Sequence, residues 1–455
     1  MFLLSGQKGR DAVKTRIKKG GGNAAQLYRH PLCKCINPYV ACLWAIEDPA
    51  RRQVLWRPDA TAMVAVLMAL EGPESLRDRF QEAKSSLAAD VRIGGTYNGW
   101  IKALHRQAPL VLPMLKQSLR RRVLRELDAI APEARWRLLA VDGTREMLPR
   151  TTSNEAHFGI ADNGRCPQAY TTAVVEVHTG LLWDWRIDRA GGSEKDHLVQ
   201  MSAALPERCL LLGDGNFVGY RVWSTLHKDG HSFLIRVGGN VHLLSMLWPE
   251  VKIERRGDIV YAWPASMQHK VPPLRLRLVG VGGPGERVYL LTNVLDRRQL
   301  SNQAAGTIYR LRWGAELFYR TFKQTLGFSK LASRSACRAE LELEWALIGC
   351  CIMMLLGAAA ARKRRVDPHR LSPAGMIRVL RGHLRNSGLR SSCQTLRQSL
   401  ACCLMDTYRR QAAKASRYRP TTKNTPKTFQ LQPPRIRKAN AQERKLAHKH
   451  YSLAA

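Results

Sequence analysis

The sequence predicts an α/β fold: a mixed-sheet core interrupted by a β-rich insertion, with helical N-terminal and C-terminal regions. Three observations carry that prediction. Two continuous apolar runs, "WRLLAVDGT" and "RCLLLGDGNF", each end in an acid and a glycine, as buried strands do when their ends open onto a site. Between them "YTTAVVEVHTGLLWDWRID" reads as two strands about the turn Thr179-Gly180, and "GGSEKDHLVQMSAAL" as a helix capped by Ser193 with Glu194 in its first turn. Further on, Pro249, Pro264, Pro272 and Pro273 and the stretch "GVGGPGER" cut the chain into short strands, and helix returns only at Ser301.

Taken in order, residues 1 to about 50 read as irregular, with a flexible Gly20-Gly21-Gly22. "DATAMVAVLMAL" reads as a helix with Asp59 as its N-cap, stopped by Gly72-Pro73, and "ESLRDRFQEAKSSLAAD" as a second helix. "RIGGTYNGWIKALHRQ" gives a glycine turn, a Thr96 cap and a third helix carrying Trp100, Lys102, His105 and Arg106; a separate basic helix with Arg120, Arg121, Arg122 and Arg125 is expected after it. Helix, turn and a polar helix start fit a groove-reading module, and any small bundle reads the same way. "SFLIRVGG" is a third apolar strand of the core. The uncharged "WALIGCCIMMLLGAAAA" is slightly short for a membrane span and reads as a helix buried in a core. Weaker helices follow at 372–384 and 394–410, and then a tail from Arg409 to His450, expected to be disordered when free and to hold phosphates. The expected regions are 1–135 (helical, DNA-binding), 136–238 (first part of the core), 239–300 (insertion), 301–365 (second part of the core) and 366–455 (helical and basic).

Lysine and arginine number 73 against 36 acids, a net charge of +37, which disfavours a solitary metabolic enzyme and favours a polyanionic partner, nucleic acid first. The 11 cysteines include the pairs Cys350-Cys351 and Cys402-Cys403, a pattern of a reducing compartment rather than a disulfide framework. His30, Cys33, Cys35 and Cys42 do not have the spacing of a usual zinc finger. The N-terminus turns basic too soon for a signal peptide. A cytoplasmic, nucleoid-associated location without membrane is expected.

The chemistry is concentrated in "YRLRWGAELFYRTFK". At about 100° per residue, Tyr309, Arg312, Glu316 and Lys323 fall within roughly 60° of one helix face. Glu316 is the only acid between Asp296 and Glu340, isolated among Arg310, Arg312, Arg320 and Lys323. With Asp142 and Asp214 at two strand ends it makes a set of three carboxylates. Hard divalent cations take such oxygens, and two ions about 3.5 to 4 Å apart activate the attacking oxygen and stabilise the leaving one in phosphoryl chemistry. A bland reading exists for each residue alone: Asp142 can end a strand, "LLLGDGNFVG" can be a loose dinucleotide loop, His157 and His197 read as surface or core histidines, and Tyr309 and Trp313 as packing.

The spacing Tyr309-x₂-Arg312-x₃-Glu316-x₆-Lys323 resembles the signature of the insertion-sequence-four family of transposases, DDE enzymes with an RNase H-like core and a β insertion just before the glutamate helix. "VDGT" at Asp142 and "GDGNF" at Asp214 resemble the family's first and second acids, and "YLLTN" its last insertion strand; the resemblance covers roughly residues 136–365. It implies metal ligation and catalysis by Asp142, Asp214 and Glu316, with two Mg²⁺ ions (or Mn²⁺). It also implies that Tyr309, Arg312 and Lys323 grip the phosphates of the transposon end. Relatives that cut through a DNA hairpin have a tryptophan on the last insertion strand. Here Val288 and Tyr289 stand there, with Tyr289 able to stack on a base and Trp248 or Trp263 as substitutes. The function implied is cut-and-paste DNA transposition by a homodimer acting on terminal inverted repeats and target DNA. A non-catalytic nucleic-acid-binding protein and a stand-alone RNase H-like nuclease are the alternatives.

Overall fold

The computed structural model describes residues 28, 30–46, 55–72, 74–87, 93–161, 164–249, 257–283, 287–385, 392–406 and 432–452. The glycine run at 20–22 and the tail from Arg409 to residue 431 lie outside the described residues.

The chain begins with α1 (Pro31–Val40), α2 (Pro58–Leu70), α3 (Leu76–Ser85) and α4 (Tyr97–Ile130). The expected cap of α2 is corrected: Pro58 occupies the first turn, where its fixed φ suits a helix start and its missing N–H costs nothing. Arg57 is the N-cap, and Asp59 sits inside the first turn paired to it at 3.1 Å. The two helices expected after Thr96 are one of 34 residues, running through Pro109 and Pro113. Both prolines lie on the exposed face, where hydration can replace the helical bonds that their missing N–H groups forgo. Trp100 at the start of α4 is buried, its indole donating to the Thr61 carbonyl at 3.2 Å, so of the four residues expected to face a groove Lys102, Arg106 and the half-buried His105 remain outward.

The core follows as β1 (Arg137–Met147), α5 (Thr152–Phe158), β2 (Gln168–Glu176), β3 (Leu182–Arg189), α6 (Glu194–Ser202), β4 (Cys209–Gly213), α7 (Tyr220–Lys228) and β5 (Ser232–Val237). β1, β2 and β3 form an antiparallel meander, while β4 and β5 run parallel to β1 on its other side. The resulting order, 3-2-1-4-5, is that of an RNase H-like sheet.

The insertion contributes β6 (His242–Ser245), β7 (Ile259–Ala262), β8 (Leu274–Val281) and β9 (Val288–Thr292). β9 pairs antiparallel with β5, so the insertion extends the core sheet rather than standing apart from it. Then come α8 (Asn302–Arg310), α9 (Trp313–Arg320), α10 (Ala336–Lys363), α11 (Pro373–Arg385), α12 (Cys393–Ala401), β10 (Arg435–Lys438) and α13 (Ala441–Ser452). α10 is long and apolar enough to span a membrane, but 89% of its apolar window is buried inside the protein, among α2, α4 and α12. The last two elements correct the expectation of a wholly disordered tail. β10 adds in parallel to β6, and α13 covers a small second core of Leu244, Leu247, Trp248, Tyr261 and Trp263 through Ala447.

Candidate active site

Strand register brings two of the acids together. β1 and β4 pair in parallel with Ala140 beside Leu212, so Asp142, two residues on in β1, and Asp214, just past the end of β4, come to the same end of the sheet, close enough to feel each other's charge. Each carboxylate is fixed locally: Asp142 Oδ1 accepts from the Gly143 N–H at 2.9 Å, and Asp214 Oδ1 accepts from the Asn216 N–H at 2.8 Å. Burial, with the charges of Asp214 and Glu194, raises the Asp142 carboxyl to about 6, against the opposing Gly143 hydrogen bond and Arg312.

The segment expected to be one helix is broken in two. Leu311 and Arg312 bond to carbonyls three residues back, at 3.0 and 3.1 Å, a tightened turn that ends α8 and starts α9. Directly after α9, residues Thr321–Thr325 form a π-helical turn that contains Lys323. Tight and wide turns depart from the regular helix in opposite rotational senses, and the first and last signature residues both reach the strands. The Tyr309 hydroxyl donates to the Gly213 carbonyl at 3.3 Å, and Lys323 Nζ donates to the Arg145 carbonyl at 2.5 Å. Burial pushes the Tyr309 phenol up to about 12 and lowers the Lys323 ammonium, the latter opposed by the nearby buried Glu146.

α9 is fastened to the sheet at two points. The Tyr319 hydroxyl donates toward the Asp142 carbonyl at 2.8 Å and accepts from the Ala173 N–H at 2.9 Å, joining the helix to the β1–β2 pair beside the first acid. Gly314 lies so close to β2 that a Cβ there would come within 2.5 Å of the Val177 carbonyl oxygen, which no side chain tolerates.

Glu316, three residues before Tyr319, pairs with Arg312 at 2.7 Å. Burial works against the Arg312 charge, yet Glu316, Tyr309 and Asp142 together hold it up, so this guanidinium lies in the field of both the first acid and the last. As the side chains stand, Asp142 and Asp214 are together and Glu316 is held by Arg312. Among the described residues no three His, Cys, Asp or Glu side chains are grouped to enclose an ion. The donors nonetheless suit a hard divalent cation, because they are carboxylate oxygens whose mutual repulsion a cation would relieve.

Arg236 and Glu194 were not singled out from sequence. Arg236, in "SFLIRVGG", lines a cleft with Asp214, Gly238, Asn240, Tyr309 and Arg312; the signal was a lone arginine in an apolar strand. Glu194 was read only as a helix-start acid, because nothing in its spacing shows that it folds back onto β1. Tyr289 is half-buried on β9, opposite Val237 and one strand away from that cleft. Trp248 and Trp263 are corrected as stacking candidates: both are buried in the second core, with Trp263 donating to the Val271 carbonyl at 2.7 Å. Trp313 is 57% exposed rather than core packing. His157 lies at the surface against Glu340, and His197 is buried against Thr172.

Residues 135–354 match the family model described as Transposase DDE domain. Transposase InsG for insertion sequence element IS4 of Escherichia coli (strain K12) is 27% identical over 221 residues, covering 45% of this chain and 48% of that relative. The match thus spans about half the length of the relative. A cryo-EM structure of the piggyBac transposase synaptic complex with hairpin DNA overlays with a TM-score of 0.40 at 11% identity, covering 84% of each chain. Residues 135–354 of this chain thus match a transposase DDE domain, and over that stretch the chain is similar to an insertion-sequence-four transposase.

Proposed function

We propose that this protein is a cut-and-paste DNA transposase, hydrolysing a phosphodiester at the element's ends and joining the freed 3′-OH to target DNA. The observation that supports it most is the parallel register that sets Asp142 beside Asp214, with the Glu316 helix bolted across the same strand ends through Tyr319. Asp142, Asp214 and Glu316 would hold divalent metal, two Mg²⁺ or Mn²⁺ ions. When bound, the metal supplies a lowered water pKa and charge neutralisation at the phosphate. Arg312 offers a planar fork for phosphate oxygens and Lys323 a point charge, so in the DNA complex Arg312 exchanges Glu316 for phosphate. Tyr309 walls the cleft beside Asp214, and Tyr289 offers a ring for stacking one strand away. The +37 charge holds the duplex, with the helical N-terminal region gripping the terminal inverted repeats, and two copies pairing two ends. The location proposed is cytoplasmic and nucleoid-associated, without membrane, a reading supported by the affinity of so basic a chain for DNA.

One observation favours a second reading, a non-catalytic nucleic-acid-binding protein: the ion pair that occupies Glu316. Incubating protein with a duplex made from the DNA flanking its gene, in Mg²⁺ or Mn²⁺, separates the two. The transposase reading predicts cleavage at the element end that Asp142→Asn, Asp214→Asn and Glu316→Gln each abolish while duplex binding persists. Metal-dependent cutting that survives all three substitutions contradicts it.

A further inference from the structure

We propose that Glu194 is a further acid of the same pocket, facing the divalent cation that Asp142 and Asp214 hold, a role that rests on the transposase reading above. Glu194 opens α6 just after the Ser193 cap, whose hydroxyl accepts from the Asp196 N–H at 3.3 Å. The other acid of that turn, Asp196, turns away to Arg221, while Glu194 turns in toward β1.

Two features make room for it and hold it. A Cβ at Gly143 would collide with Glu194 Oε1 and stand 2.7 Å from the Tyr170 hydroxyl, so a side chain after Asp142 would push both groups from where they lie. Tyr170 on β2, cross-strand from Arg145, donates its hydroxyl to Glu194 Oε1, and its ring lies under the Arg145 guanidinium at 4.8 Å. Glu194 is thereby half-buried beside the backbone of the residue that follows Asp142. An acid serving solely as a favourable charge at a helix start would need neither the glycine gap nor the tyrosine clamp.

The test is calorimetric titration of the full-length protein with Mn²⁺, alongside the Mg²⁺ concentration that half-saturates end cleavage. Glu194→Gln is expected to weaken Mn²⁺ binding by about 10-fold or more and to raise the Mg²⁺ requirement in proportion, with an unchanged circular dichroism spectrum. Tyr170→Phe, which keeps the carboxylate but frees it, is expected to shift both in the same direction by a smaller factor, and it serves if Glu194→Gln does not fold. Wild-type Mn²⁺ affinity in these variants, with affinity lost in Asp142→Asn and Asp214→Asn, overturns the role of Glu194 alone. Wild-type affinity in all four overturns the metal-site reading beneath it.

Discussion

At the scale of single residues, Tyr319 couples the catalytic helix to the strand that carries the first acid. Its hydroxyl serves the Asp142 carbonyl and the Ala173 N–H, both internal to the sheet. Tyr319→Phe strands a buried backbone N–H, which costs about 1–3 kcal/mol. Urea unfolding should show that loss, and end cleavage should fall more than duplex binding; unchanged stability would mean the hydroxyl is not the fastener. Gly314→Ala should act in the same direction, because its methyl meets the Val177 carbonyl. At this scale the sequence located the acids by where apolar runs stop, since a carboxylate at a buried strand's end is unusual enough to stand out. It did not reveal the role of Glu194, because that depends on which side chains meet across elements far apart in the chain; the pairing of Arg312 with Glu316, four residues apart, is a local contact that the spacing permits but does not require.

At the scale of elements, the C-terminal strand and helix show how a segment of unremarkable composition can be ordered by its docking partner. Every residue of β10 is exposed, yet its backbone completes the edge of β6. Glu443 at the start of α13 accepts from Arg437 at 2.6 and 2.8 Å and from the Asn440 N–H. The bond from Arg437 lowers the Glu443 carboxyl to about 2. A carboxyl depressed on folding stabilises the folded state above its usual value near 4.5 and loses that contribution as pH falls toward 2. Amide exchange in β10 should therefore quicken, relative to the core strands, as pH drops through that window, and Glu443→Gln should show the faster exchange already at neutral pH. Equal protection in wild type and variant would assign no holding role to the carboxylate. The sequence hid this element behind prolines and a charge run, just as Pro109 and Pro113 concealed the continuity of α4; in both cases tertiary packing overrode a local signal.

At the scale of the whole molecule, the mixed sheet was readable because its strands differ in kind: two continuous apolar runs for the parallel centre, an obvious hairpin for the meander. The joining of the insertion to β5 was not readable, since pairing partners leave no mark on either strand alone. The net charge of +37 predicts that duplex affinity falls with salt on a log–log scale by about 0.9 per phosphate neutralised. Lys323→Ala should make that slope shallower by about 1 while weakening all sequences alike, and an unchanged slope would remove Lys323 from the phosphate contacts. The proposal that carboxylates bring metal to the scissile phosphate is tested most directly by replacing one non-bridging oxygen of that phosphate with sulfur. Sulfur binds Mg²⁺ poorly and is better accepted by the softer Mn²⁺. Cleavage should then collapse in Mg²⁺ and recover in Mn²⁺. Equal slowing in both ions, or cutting that continues in the presence of a chelator, would contradict a metal held by Asp142, Asp214 and Glu316.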